Sequence, residues 1–177
     1  MPLVPVKEVP AAASGEYEIH LDLGSIQGES SSKGHPDAIE IRSLSWEGTN
    51  IPVRSAGGTG STKGGRPSIS EMTVVKSVDS ASTRLWMVLY TGQLIKTATI
   101  SLSKSTGGKK PEDYYVIKMT NVFVTSVHLK SGSGEPGLGT ETVTLSFDSI
   151  EQVYMRQGSD GLLTNAGGVT FNLASGK

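Results

Sequence analysis

Tyr17-Glu18-Ile19-His20-Leu21-Asp22-Leu23-Gly24 decides the fold class. Apolar side chains at 17, 19, 21 and 23 alternate with polar ones at 18, 20 and 22, which is the period of a half-buried β-strand, and Gly24 ends it. The same period returns downstream with one defect. Ile39 and Ile41 alternate, but the apolar set resumes at Leu44 and Trp46, a shift of one residue that predicts a bulge near Arg42 and Ser43. A curving sheet uses such a kink. Composition agrees: 15 Val, 10 Ile and 16 Thr among 177 residues are stiff at χ1 and favour pleated sheet over helix.

Upstream of Tyr17, Pro2, Pro5 and Pro10 remove backbone donors and bias their neighbours to extended geometry, so residues 1–16 are expected to form a flexible Pro-rich arm. Residues 17–177 are then one domain. Downstream, Ile69 to Val78 reads as a strand with Met72, Val74 and Lys76 on one face. Asp79 to Thr91 reads as the one helix: Asp79, Ser80 or Ser82 can cap it, and Gly92 suits a left-handed C-terminal residue. Leu85, Trp86, Val88 and Leu89 form its expected core face. Ile95 to Ser103 and Tyr115 to Lys130 read as strands around a hairpin-type connection. The second is long enough either to offer an edge to a neighbour or to serve one sheet as a single bent strand. Thr140 to Phe147, Ile150 to Tyr154 and a short Val169 to Leu173 complete a mainly β reading: a small closed β-barrel of about seven or eight strands with one flanking α-helix.

Several function classes lose support at this level. A formal charge of -1 supplies no attraction to nucleic acid or anionic lipid. The absence of Cys removes disulfide frameworks, thiolate nucleophiles and Cys-ligated zinc. No apolar run approaches the ~20 residues of a spanning helix, and the N-terminus lacks the pattern of a Sec signal. His20, His35 and His128 show no short metal-ligand spacing, and His20 and His128 are expected to be solvent-facing strand residues. Gly57-Gly58-Thr59-Gly60-Ser61-Thr62-Lys63 lacks the Gly-Lys pair of a phosphate-binding loop. The carboxylate pairs Glu16/Glu18 and Glu112/Asp113 are expected in solvated turns or strand faces. Neither a catalytic constellation, nor a metal, nor a cofactor is expected.

One segment stands apart. Gly48 to Pro67 holds six glycines, two prolines and the basic Arg54, Lys63 and Arg66, a loop of about 20 residues, and loops that long tend to be functional or disordered.

Leu21-Asp22-Leu23-Gly24-Ser25-Ile26-Gln27-Gly28-Glu29-Ser30, then His35, then Ile39-Glu40-Ile41-Arg42-Ser43-Leu44-Ser45-Trp46, closely resembles the opening of the haemolysin-coregulated protein (Hcp) family, the tube protein of bacterial type VI secretion. Val74 to Ser82 followed by Leu85, and Glu141-Thr142-Val143-Thr144-Leu145-Ser146-Phe147, resemble that family's strand-to-helix segment and late strand. The resemblance implies a homohexameric ring, head-to-tail stacking into a hollow tube, a contractile sheath around it and a spike protein at its tip. It also implies effector proteins in the lumen, a cytoplasmic location before firing, and secretion by the type VI system without a Sec signal. The alternative is a ring that carries or chaperones effectors without forming a tube. On this resemblance the 48–67 loop, with Arg54, Gly57, Gly58, Lys63 and Arg66, is the candidate ring-stacking loop. Ser43 and Ser45 alternate with Leu44 and Trp46, so if those two pack in the core the serines are candidate lumen residues.

Overall fold

The computed structural model describes residues 17–52, 64–105, 110–133, 139–173 and 175–176. The N-terminal arm lies outside them. The strands are β1 (Tyr17–Asp22), β2 (Ile39–Ser45), β3 (Gly48–Thr49), β4 (Ser68–Ile69), β5 (Met72–Ser77), β6 (Ile95–Lys104), β7 (Glu112–Lys130), β8 (Thr140–Ser146), β9 (Ser149–Gln157) and β10 (Leu163–Asn172), with the helix α1 (Ser82–Thr91) between β5 and β6.

Eight strands follow the order β10-β9-β7-β6-β1-β2-β5-β8, and β7 pairs with β8 as well, so six of them close into a barrel while β9 and β10 extend the wall beyond it. The closing device is β7. Its first half pairs with β6 and β9, and its second half with β8. The turn from one to the other falls at Asn121, whose φ of 53° lies in the left-handed region that Asn tolerates. Its side-chain amide donates to Asp148 Oδ2 at 2.8 Å, which holds the bend. The long 115–130 run is therefore one bent strand of the internal wall, begun three residues earlier than its sequence pattern suggests.

The register slip read near Arg42 and Ser43 is present, between Ile41 and Ser43 in the β2–β5 pair. A matching slip falls between Val124 and Ser126 in the β7–β8 pair, so the wall curves on both sides. Inside, Leu21, Ile39, Met72, Val74, Ile100, Ile117, Met119, Val143 and Leu145 are buried. Each such side chain stabilises the fold by about 1.5–3 kcal/mol relative to exposure.

The helix starts three residues later than the capping signal suggests, at Ser82, because the polar side chains act one step earlier. Asp79 Oδ1 accepts the Ala81 N–H at 2.9 Å, and Ser82 Oγ accepts the Asp79 N–H at 3.0 Å, which shapes the entry turn rather than capping the helix itself. Gly92 ends it with φ 62°, its N–H bonded to Val88 O, in the left-handed cap that the sequence implies. Leu85 and Val88 are buried in the core, while Trp86 and Leu89 are half-buried against it. The last strand is longer than Val169 to Leu173: Leu163 to Asn172 pairs along the whole of β9, with a bulge between Asn165 and Gly167.

Candidate functional site

The sheet β2-β5-β8-β7 turns one face into the core and the other out. Inward go Met72, Val74 and Lys76 of β5 and Glu141, Val143 and Leu145 of β8, all buried. The period of two then places their neighbours outside, and all of those neighbours but Val75 carry hydroxyls. Cross-strand register lines them up: Ser45 opposite Thr73, Thr73 opposite Thr144, and Thr144 opposite Ser126. A second row runs Ser43, Val75, Thr142 and His128, and a third runs Ser77, Thr140 and Lys130. These rows carry mainly hydroxyls, with Val75 in the second and His128 and Lys130 at the β7 side, and exposed Phe123 opposite Ser146 extends the face.

Ser43 and Ser45 lie exposed on this plane. The condition on them holds, since Leu44 and Trp46 are half-buried against the core. Their partners Thr73, Thr142, Thr144 and Ser126 escaped the sequence reading. The signal was there, in the run Thr140, Thr142, Thr144 and Ser146 with a hydroxyl at every second position. What sequence lacks is the register that sets this run beside Ser45.

Two sides of the plane are open. Pairing of β2 with β1 ends at Glu40, so among the described residues its 42–45 segment bonds only to β5. At the other side, residues 123–130 of β7 pair, among the described strands, only with β8. Among the described residues, β10 likewise has one neighbour, β9.

Beneath the plane lies a buried ion pair. Lys76 Nζ meets Glu141 Oε2 at 2.9 Å and Asp79 Oδ1 at 2.7 Å, and donates to Ser77 O and Ser82 Oγ. Glu141 also accepts from the Ser82 hydroxyl at 2.6 Å and the Trp86 indole at 3.3 Å. Burial alone would raise the Glu141 carboxyl, but the hydrogen bonds from Ser82 and Lys76, the Lys76 charge and the Trp86 bond outweigh it and hold it below its ordinary value. The pair ties β5 and β8 to the start of α1.

At the base of the 48–67 segment Gly48 and Thr49, expected as loop, form β3 and pair with Ile69 and Ser68 of β4 as a two-stranded foot. Ser70 clasps this foot: its N–H donates to Glu47 O and its Oγ accepts the Glu47 N–H, both at 2.8 Å. A Cβ on Gly65 would fall 2.1 Å from Ile51 O, so the foot closes only with glycine there. Arg66 is exposed beside it. Arg54, Gly57, Gly58 and Lys63 lie outside the described residues.

Two expectations about titratable groups need correction. His20 is buried, 3% exposed, because its strand position faces the 24–38 connection, which folds over it; His128 is exposed as expected. Asp113 is half-buried and held as well as partly solvated, with His35 Nε2 and Ser103 Oγ each 2.7 Å from its Oδ1. Among the described residues no group of three or more His, Cys, Asp or Glu is placed to hold a metal, and no helix is long and apolar enough to cross a membrane.

The described residues thus form a six-stranded barrel with a docked helix and a two-strand extension, and the β2-β5-β8-β7 wall turns a hydroxyl-rich face outward. The chain belongs to the family described as type VI secretion system effector, Hcp, whose model matches residues 20–154. It is 28% identical over 144 residues to protein hcp1 of Pseudomonas aeruginosa, covering 81% of this chain and 86% of that protein. Hcp1 from Salmonella typhimurium is similar in structure, with a TM-score of 0.70 and 26% identity over 90% of this chain and 97% of that one. Another type six secretion system protein shares the fold at a TM-score of 0.82, with 23% identity over 91% and 98% of the two chains.

Proposed function

We propose that this chain is the structural subunit of a type VI secretion inner tube: six copies close into a ring, rings stack into a hollow tube, and the hydroxyl plane lines the lumen in which effector proteins travel. The observation that carries this reading is the plane itself, uncharged at its centre and open on two different sides, β2 and the second half of β7. Unlike sides that meet head to tail generate a ring when the rotation closes. Free strand edges also need a partner or a cover. Ser43 and Ser45 then face the lumen, where small neutral hydroxyls let different cargo proteins lie against the wall without a charge to desolvate.

The Gly48 to Pro67 segment is the stacking element, with Arg54, Lys63 and Arg66 meeting acidic groups of the next ring. The contractile sheath and the spike protein complete the assembly. The subunit resides in the cytoplasm before firing and leaves through the type VI machine, and its role is structural rather than catalytic.

Light scattering on the purified protein tests the ring. A mass six times the 18.6 kDa chain is expected, and a monodisperse monomer at micromolar concentration overturns it. Replacing Thr49 to Gly65 with a short Gly-Ser linker is expected to leave the hexamer intact while abolishing tube formation and secretion in a type VI-active cell. Wild-type secretion would remove the stacking role.

A further inference from the structure

The connection between β1 and β2, residues 23–38, is held on the barrel by a small cluster that the ring reading does not use. His20 of β1 stacks on His35 of the connection, ring centroids 4.7 Å apart and 26° from parallel. His35 Nε2 meets Asp113 Oδ1 of β7 at 2.7 Å, and Ser103 of β6 donates to the same oxygen. Ser32 of the connection donates to Glu18 Oε2 of β1 at 2.8 Å. One atom is left over: His20 Nδ1 is buried and has no hydrogen-bond partner among the described residues.

We propose that the His20–His35 stack is an acid-operated latch, closed while at most one imidazole is charged and opened, releasing the 23–38 connection, when both carry protons. An imidazolium at His35 keeps the Asp113 carboxylate in contact. A second cation at His20 would lie buried, face to face with the first at 4.7 Å, with a ring nitrogen that has no acceptor. The other charged groups around His20 are Glu18 on its own strand, with Oε2 3.9 Å from Nε2, Glu40 of β2 directly across the register, and Asp113 of β7, while Arg42 of β2 lines the same cleft. The three carboxylates favour a charged His20, yet burial and the His35 charge outweigh them, so His20 stays below its ordinary 6.5.

The sign follows. With the latch open, His20 takes a proton at its ordinary value. With it closed, it resists until lower pH, so the closed form binds fewer protons and loses ground as pH falls below 6.5. Asp113, with its carboxyl lowered below 3.8, and Glu141, lowered below 4.5, titrate in a more acid range, which separates local opening from general acid unfolding.

Hydrogen exchange on the full-length protein tests this at the amides of Gly28, Ser30, Asp37 and Ala38, which are bonded within the connection. After correction for intrinsic rates, exchange there is expected to rise as pH drops below 6.5, by up to about tenfold per pH unit, the limit for one linked proton. Amides of β5 and β8 stay protected. In His35→Gln, which removes one of the two cations but leaves His20 buried, the rise should be clearly smaller and His20 should titrate closer to 6.5 by NMR. Exchange that is flat with pH in the wild type, or an equally steep rise in His35→Gln, overturns the latch.

Discussion

Two polar clusters sit against the same barrel, and they are finished differently. Under the start of α1, Lys76 finds four acceptors, and Glu141 receives the amine, a hydroxyl and an indole. Against the 23–38 connection, His35 and Asp113 satisfy one another, while His20 is buried beside them with Nδ1 unpaired among the described residues. The first cluster has one favourable protonation state and fixes it. The second tolerates a change of charge poorly, and is where the fold should yield first in mild acid. Completeness of hydrogen bonding, rather than the number of ionisable groups, separates a structural corner from a responsive one.

The largest expected effect breaks the first cluster. Lys76→Met leaves Glu141 and Asp79 without their cation and should cost about 3–5 kcal/mol, read by urea unfolding. Removing both charges in Lys76→Met/Glu141→Leu should recover part of that loss, because Glu141 is no longer an uncompensated buried charge while Asp79 still lacks its cation. A double variant as unstable as the single would mean that the corner contributes more than charge balance. Next to it, Leu85→Ala tests apolar packing in the same place and should cost about 2–5 kcal/mol. The half-buried Leu89 should cost clearly less.

A smaller effect contrasts the two clusters by pH. Stability measured by denaturant should fall from pH 6.5 downward in the wild type and stay flat over the same range in His20→Gln. The Lys76–Glu141 corner contributes no slope there: its stabilisation is present above pH 4.5 and is lost only as pH falls through the lowered value of Glu141. A slope that survives in His20→Gln would assign the sensitivity to some other group.

The sequence made these clusters legible to different degrees. The alternation of Tyr17 to Leu23, the slip after Ile41 and the 3.6-residue spacing of Leu85 and Val88 are local patterns, so strands, bulge and helix face could be read directly. Lys76 was placed on the Met72 and Val74 face without a reason for a lysine to be there. The reason, Glu141, is 65 residues away and enters only through β5–β8 register. His20 was misread because alternation assigns it to the polar face of β1, and nothing local indicates that the connection carrying His35 folds back over that face. Asp113 beside Glu112 looks like a solvated pair until the β6–β7 register sets it opposite Ser103. Sequence period decides which way a side chain points; chain topology decides what covers it.

The finest distinction between the clusters is one hydroxyl in each. Ser103 is fully buried and donates to Asp113, whose carboxyl burial would raise but which the bonds from His35 and Ser103 bring below 3.8. Asp113 is partly exposed, so water can replace much of what the hydroxyl gives, and Ser103→Ala should cost only about 1 kcal/mol at pH 7. That cost should shrink below pH 3.8, because the bond is strongest to the ionised carboxylate and fades as Asp113 takes up its proton. Ser82→Ala, in the satisfied cluster, should cost more at neutral pH, since it deprives Lys76 of an acceptor and Glu141 of a donor where water does not reach. Unfolding free energies of both variants at pH 7 and pH 3 decide the matter. A Ser103→Ala loss of equal size at the two pH values would show that the residue acts through packing alone and that Asp113 is held by His35 without it.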